Sequence, residues 1–278
     1  FYQMAGRAGR RGIDKEGFVY TRINPSHIDK TSLENIIYGR YEPIISQLNS
    51  CYATILCLWS FMAENIYKIY PKSFHFYQSK PWSRKKMLEN IKNKVSLLRQ
   101  FNYINGDKLT PKAELASSIY SFELVIGELY QESYLDELDP TELFILAVAL
   151  VFEPRKRQKL PKLNKTSKKL QRETSKTVRQ IQGIERKYRI YPPSKRLFFH
   201  LSNPARLWIE GARFHKITKD LDIDEGTVVR YFRMALQVLR QLRNSEQISQ
   251  RLKENLITCI EKTKRDVIDA ESQLRQEL

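Results

Sequence analysis

Tyr103-Ile104-Asn105-Gly106-Asp107-Lys108-Leu109-Thr110-Pro111 is the stretch that sets the architecture. Asn-Gly between two short β-prone pairs, Tyr103-Ile104 and Lys108-Leu109, is a strong local signal for a tight hairpin. Thr110-Pro111 then opens a helix, with a capping hydroxyl followed by a proline at the first helical position. Upstream, Met87, Ile91, Val95, Leu98 and Phe101 recur at helical spacing and define one apolar face. Residues 82–120 therefore read helix, strand, turn, strand, helix, the outline of a winged-helix domain.

Working outward, the same spacing predicts helices on both sides. Ile44, Ile45, Leu48, Tyr52, Ile55, Leu56, Trp59 and Met62 suggest one amphipathic helix over 43–70, with Pro43 in its first turn. Residues 121–153 read as two helices, the second opened by Asp139-Pro140-Thr141-Glu142, a capping-box pattern. A basic linker at 155–165 leads into a long helix ending near Tyr188, striped by Leu170, Val178, Ile181 and Ile184. Tyr191-Pro192-Pro193 breaks it, and residues 198–278 are helical again. At the other end, residues 1–30 are glycine-rich, reading as a turn, a short helix start and a returning strand at Gly17-Phe18-Val19-Tyr20. Trp59 and Trp82 read as core rather than as base-stacking platforms. The expected class is mainly α.

Charge is concentrated. The net charge of +17 comes from 48 basic and 31 acidic residues. Between Arg155 and Arg196 there are sixteen Lys or Arg against only Glu173 and Glu185. A polyanionic partner is the natural expectation, because neutralised phosphates release counterions; a solvated linker or a tract for an acidic partner is the plainer one. The three cysteines form no CxxC pair and the four histidines stand singly, so neither a disulfide framework nor a metal site is expected. No apolar run reaches the ~20 residues of a membrane span. A reducing, cytoplasmic setting without membrane association is the expectation. The sequence opens mid-pattern and without an initiator Met, as a fragment of a longer protein would.

Gln3-Met4-Ala5-Gly6-Arg7-Ala8-Gly9-Arg10-Arg11-Gly12 spaces arginines three apart on a glycine-rich turn, where they can converge on one anion. A Gly/Arg-rich surface loop is the alternative. With Ile13-Asp14-Lys15-Glu16-Gly17 the stretch resembles motif VI of superfamily 2 helicases, in the form used by the superkiller-like DExH class. The resemblance implies the tail of a RecA-like α/β lobe over residues 1–40. It implies ATP contacts from Gln3, Gly6, Arg7 and Arg10, with Arg7 and Arg10 catalytic and Arg10 nearest the γ-phosphate. ATP with Mg would be held mainly by a first lobe, since neither GxxxxGK[ST] nor DExH occurs here. The chain alone should not hydrolyse ATP.

A second signal lies at Trp208-Ile209-Glu210-Gly211-Ala212-Arg213-Phe214 and Asp224-Glu225-Gly226-Thr227-Val228-Val229-Arg230-Tyr231-Phe232-Arg233. From Thr227 onward, Val229, Phe232, Leu236, Leu239 and Leu242 form an apolar stripe. Arg230, Arg233, Gln237 and Arg240 project from a neighbouring face. Such a face can contact phosphates, sugars and bases; an ordinary solvated face has the same pattern. The wording is similar to the C-terminal helical domain of the same helicases, which implies a ratchet helix tracking single-stranded nucleic acid through those four residues. Ile217 to Val228 also resembles the turn of a helix-turn-helix, the mark of a DNA-binding regulator. Tyr41-Glu42-Pro43-Ile44-Ile45-Ser46-Gln47-Leu48, Tyr52, Leu56 and Ser73-Phe74 resemble the entry to the family's winged helix; no stretch resembles a long inserted arch. The resemblance thus implies a winged-helix part over 41–120 and a helical ratchet domain over 121–278 containing the basic segment 155–196. It also implies RNA as partner, with the ribosome or RNA-decay machinery beyond it. A DNA helicase of similar ring form and a helix-turn-helix regulator are the competing readings.

Overall fold

A computed structural model describes residues 1–10, 12–24, 26, 28–39, 43–46, 48, 50–219 and 221–269. Arg11, Tyr41, Glu42 and Gln47, which belong to two of the motifs above, lie outside the described residues. Residues 1–46 and 47–278 form two compact units.

The first unit holds two short helices, α1 (Tyr2–Ala5) and α2 (Lys30–Tyr38). The Tyr2 hydroxyl donates to the Gly39 carbonyl at 2.8 Å, tying α1 to the end of α2. Among its described residues none is buried. The strand expected at Gly17–Tyr20 is not formed. A strand needs a neighbour to pair its backbone groups, and the one ladder among the described residues lies in the second unit.

The second unit is helical. It comprises α3 (Tyr52–Met62), α4 (Ile66–Ile69), α5 (Phe74–Gln78) and α6 (Pro81–Gln100). Then come the hairpin strands β1 (Ile104–Asn105) and β2 (Lys108–Leu109), followed by α7 (Pro111–Ser117). The bundle continues through α8 (Glu123–Gln131), α9 (Tyr134–Glu137), α10 (Pro140–Val151) and α11 (Lys165–Lys187). It closes with α12 (Ser202–Ile209), α13 (Phe214–Thr218), α14 (Glu225–Arg243) and α15 (Gln250–Thr263).

The helix–hairpin–helix stands where the sequence puts it. β1 and β2 are antiparallel, with Ile104 opposite Leu109, and Gly106 has φ +59° at the turn. The Thr110 side chain accepts from the Ala113 amide at the start of α7. Tyr103 is fully buried and donates to the Leu124 carbonyl at 3.2 Å. That contact needs glycine on α8: a Cβ at Gly127 would come within 2.2 Å of the Tyr103 hydroxyl.

The helix expected over 43–70 starts later. α3 begins at Tyr52, with the Cys51 sulfur accepting from the Thr54 amide, while Ile44 and Ile45 are exposed. Pro43 and apolar spacing were insufficient because no interior receives those side chains. Trp59 is fully buried as expected; Trp82 is 76 % exposed, which corrects its assignment to the core. Nine positions separate it from Ile91, about two and a half turns of an α-helix, so it faces away from α6's buried side.

At the centre lies α10, buried without interruption from Leu143 to Val151. The Asp139 carboxylate accepts from the Glu142 amide at 2.8 Å, and the Glu142 carboxylate accepts from the Asp139 amide at 3.1 Å. α10 is apolar all round because α11, α12, α14 and α15 all pack on it. Phe144 meets Phe232 of α14 edge to face, with ring centroids 5.0 Å apart.

Buried polar groups join α3 to the rest. Glu123 of α8 accepts from the Ala53 amide at 3.0 Å, placing a carboxylate at the positive end of α3. Glu185 of α11 is fully buried. It accepts from the Tyr52 hydroxyl at 2.9 Å, from the Ser194 amide at 2.7 Å and from the Ser194 hydroxyl at 2.8 Å. Burial, and then the adjacent Glu185 charge, push the Tyr52 phenol far up. Lys94 donates to the Ser50 carbonyl at 2.6 Å beneath this group.

Candidate nucleic-acid interface

α14 is held by one side and presents the other. Its buried side chains are Val228, Tyr231, Phe232, Ala235, Leu236, Val238, Leu239 and Leu242. Tyr231, Ala235 and Val238 widen the stripe read from sequence, and Val229 is only partly buried. Arg230, Arg233, Met234 and Gln237 are exposed, and Arg240 is half-buried.

The four polar residues divide into two sets. Arg230 and Gln237, two turns apart, line one cleft of about 370 Å³ with Met234 between them. Tyr120, Phe122, Glu153 and Lys195 are among the other residues of its walls. Tyr120 is 60 % exposed and offers an open aromatic face. The Arg230 guanidinium lies 4.8 Å from the Tyr231 ring, and Lys195 pairs with Glu153. Flat apolar side chains beside exposed cations and an amide suit a nucleic-acid strand, whose bases stack and whose phosphates are charged. Tyr120 and Lys195 were not readable from sequence. They come from segments distant in the chain and carry no local pattern.

Arg233 does not line that cleft. Its guanidinium donates to the Val267 carbonyl at 2.6 Å, so in this structure it braces α14 against the turn at Asp266–Ile268. Arg240 does not line it either. The sequence face is thus a pair in the cleft, one brace and one half-buried flank.

The second motif explains the brace. Trp208 is fully buried and donates from its indole nitrogen to the Thr263 carbonyl at 3.0 Å. The Arg265 guanidinium lies 3.6 Å from the Trp208 ring and donates to the carbonyls of Trp208, at 2.6 Å, and Ala212, at 2.8 Å. Phe214 packs edge-on against the same tryptophan at 5.9 Å. These residues are scaffold, fixing the turn whose Val267 carbonyl receives Arg233.

The helix-turn-helix pattern takes the form of α13, a turn and α14. Asp220 lies outside the described residues. Asp222, Asp224 and Glu225 are exposed where a recognition helix would meet DNA, and the Thr218 hydroxyl donates to Glu225 at 2.9 Å. Asp224 is paired with Arg155, and the carboxylates of Asp222 and Glu225 beside it oppose a phosphate backbone.

In the first unit Gln3, Gly6, Arg7 and Arg10 are all exposed. Gln3 lies on α1, and Arg7 and Arg10 follow on a tight turn. Gly9 takes φ +79°, and a Cβ at Gly17 would meet the Ala8 and Gly9 backbones at 2.6 Å. The turn therefore closes only with glycine at Gly17. The Asp14 carboxylate accepts from the Arg10 amide at 2.8 Å and from the Arg10 Nε at 3.2 Å, and both bonds pull its pKa down. Asp14 thereby orients Arg10 through Nε. Two exposed guanidinium groups on a closed turn suit a polyphosphate. Among the described residues no group of His, Cys, Asp and Glu is arranged to hold a metal ion.

Comparison with known proteins agrees with the helical part. Residues 106–271 match the family model described as "DSHCT (NUC185) domain". The chain is 35% identical over 105 residues to "DExH-box ATP-dependent RNA helicase DExH10" of Arabidopsis thaliana, covering 36% of this chain and 10% of that protein. It is 25% identical over 194 residues to "mRNA transport homolog 4" of Caenorhabditis elegans, covering 66% and 19%. To "Exosome RNA helicase MTR4" of Homo sapiens it is 25% identical over 193 residues, covering 66% and 18%. The matched stretch is thus less than a fifth of the length of these relatives. The family model spans more than half of the chain, including the hairpin turn, the central α10 and the α14 cleft, and on that match the chain belongs to the DSHCT (NUC185) domain family, found in superkiller-like DExH RNA helicases.

Proposed function

We propose that this chain is part of an ATP-dependent RNA helicase and that it guides a single RNA strand across α14. The observation that carries this is the cleft in which Arg230, Gln237 and Lys195 surround Tyr120 and Met234. Tyr120 would stack a base, Arg230 and Lys195 would meet phosphates, and Gln237 would bond a sugar or base edge. Packing of α14's opposite face on α10 keeps these groups in register while a strand moves past. In this reading, 41–120 acts as a winged helix beside the α14 domain.

Residues 1–40 would contribute the rim of a nucleotide site. Gln3, Gly6, Arg7 and Arg10 would contact ATP, with Mg held elsewhere in the whole protein. Bound ATP supplies a cleavable phosphoryl bond. Arg10, oriented by Asp14, would lie against the terminal phosphate and Arg7 beside it, stabilising charge as the bond breaks. The relatives named as ATP-dependent or exosome RNA helicases support RNA as the polymer and RNA-decay machinery as the wider partner.

The test uses the whole protein. Arg10→Ala should abolish RNA-stimulated ATP hydrolysis and leave RNA binding largely intact, whereas Arg230→Ala should weaken single-strand binding first. Retained hydrolysis in Arg10→Ala would sink the nucleotide assignment. Preference for single-stranded DNA would turn the reading to a DNA helicase, and preference for one duplex sequence to a regulator.

A further inference from the structure

The centre of the basic segment is one long helix with two unlike sides. α11 runs from Lys165 to Lys187, about 34 Å at 1.5 Å per residue. Its buried side comprises Ser167, Leu170, Thr174, Thr177, Val178 and Ile181, and ends at Glu185. The opposite side carries Lys165, Lys168, Lys169, Arg172, Lys176 and Arg179, all exposed. At 100° per residue these six fall within about a quarter of the helix circumference. Arg186 and Lys187 extend the line to the end of α11. The acid beside it, Glu173, is paired with Arg172 and Lys176.

Two hollows flank this ridge. One of about 500 Å³ is lined by Glu142, Lys165, Thr166, Lys168, Lys169 and Arg172. The other, of about 390 Å³, is lined by Val178 and by polar and basic groups of α11, among them Ser175, Arg179 and Gln182, and by Arg196, Leu197 and Phe198. Arg196 follows directly on Lys195, which lines the α14 cleft. Adjacent residues of one non-helical segment thus serve two hollows, and a succession of cations leads from Arg230 through Lys195 and Arg196 to Arg179 and along α11.

We propose that the α11 ridge is a second nucleic-acid track, binding the backbone of the same extended single strand where it leaves the α14 cleft. Charge complementarity and continuity with the cleft select this occupant. The ridge has cations but no exposed aromatic side chain on α11, so it grips phosphates without reading bases. This rests on the RNA reading of α14, and the experiment separates the two.

The full chain would be titrated with oligouridylates of roughly 6 and roughly 20 nucleotides at several salt concentrations. The variant carries Lys168→Gln, Lys169→Gln, Arg179→Gln and Arg196→Gln, leaving the Glu173 pairs and the α14 cleft intact; circular dichroism checks its fold. For the long oligomer its log–log salt slope should be shallower by roughly 3, at about 0.7 per lost phosphate contact. The short oligomer should bind variant and parent alike. Arg230→Ala should weaken both lengths. Equal loss on both lengths in the quadruple variant would overturn the separate track, as would an unchanged long-oligomer slope. Displacement of the long oligomer from the ridge by equimolar polyglutamate would also overturn it, in favour of an acidic protein partner. Failure of the short oligomer to bind any form would instead remove the α14 reading.

Discussion

The two units of this chain invert the relation between motif and structure. Residues 1–46 carry the most specific motif, yet no described residue there is buried. Residues 47–278 carry looser motifs around α10, a helix sealed on every side. A motif for phosphate contact needs arginines on a tight turn, and glycines and Asp14 can make that turn locally. A strand-guiding surface needs several helices fixed against one another, so it demands a core. Specificity of wording and amount of packing are therefore separate properties.

Substitutions can break this contrast. Trp208→Ala should have the largest effect, about 3–5 kcal/mol of unfolding free energy, by emptying a buried site and releasing Arg265. Urea titration followed by circular dichroism measures it. Glu185→Gln comes next, at about 1–3 kcal/mol, because an amide cannot accept from Tyr52 and from both Ser194 donors as the carboxylate does. The same titration checks it, and an unchanged midpoint would mean that the polar junction with α3 is not integral to the fold. Phe18→Ala in the first unit should fall within about 0.5 kcal/mol, since Phe18 is 71 % exposed. A loss comparable to that of Trp208→Ala would show that the first unit shares the core, and the contrast would collapse.

Local chemistry was legible in the sequence. The hairpin at Asn105-Gly106 and the cap at Asp139 need only neighbouring residues, and both formed as read. The mainly helical class followed from apolar spacing. Features that depend on distant partners were not legible. Ile44 and Ile45 have helical spacing but no interior to enter, and Trp82 lies on the wrong side of α6. Arg233 sits on the expected helix, but its partner is a carbonyl 34 residues further on. Tyr120 and Lys195 became part of the cleft only when α8's approach, α10's exit and α14 came together. The long helix α11 was foreseen; the alignment of its cations into one ridge was not.

The sealed position of α10 has a consequence for biosynthesis. Its covering helices α12, α14 and α15 follow it by as much as on the order of a hundred residues. At about 5–20 residues per second, translation leaves the nine-residue apolar run Leu143–Val151 without those covers for on the order of 5–20 s. During that interval the nascent chain carries a continuous apolar surface that only its later helices remove from water.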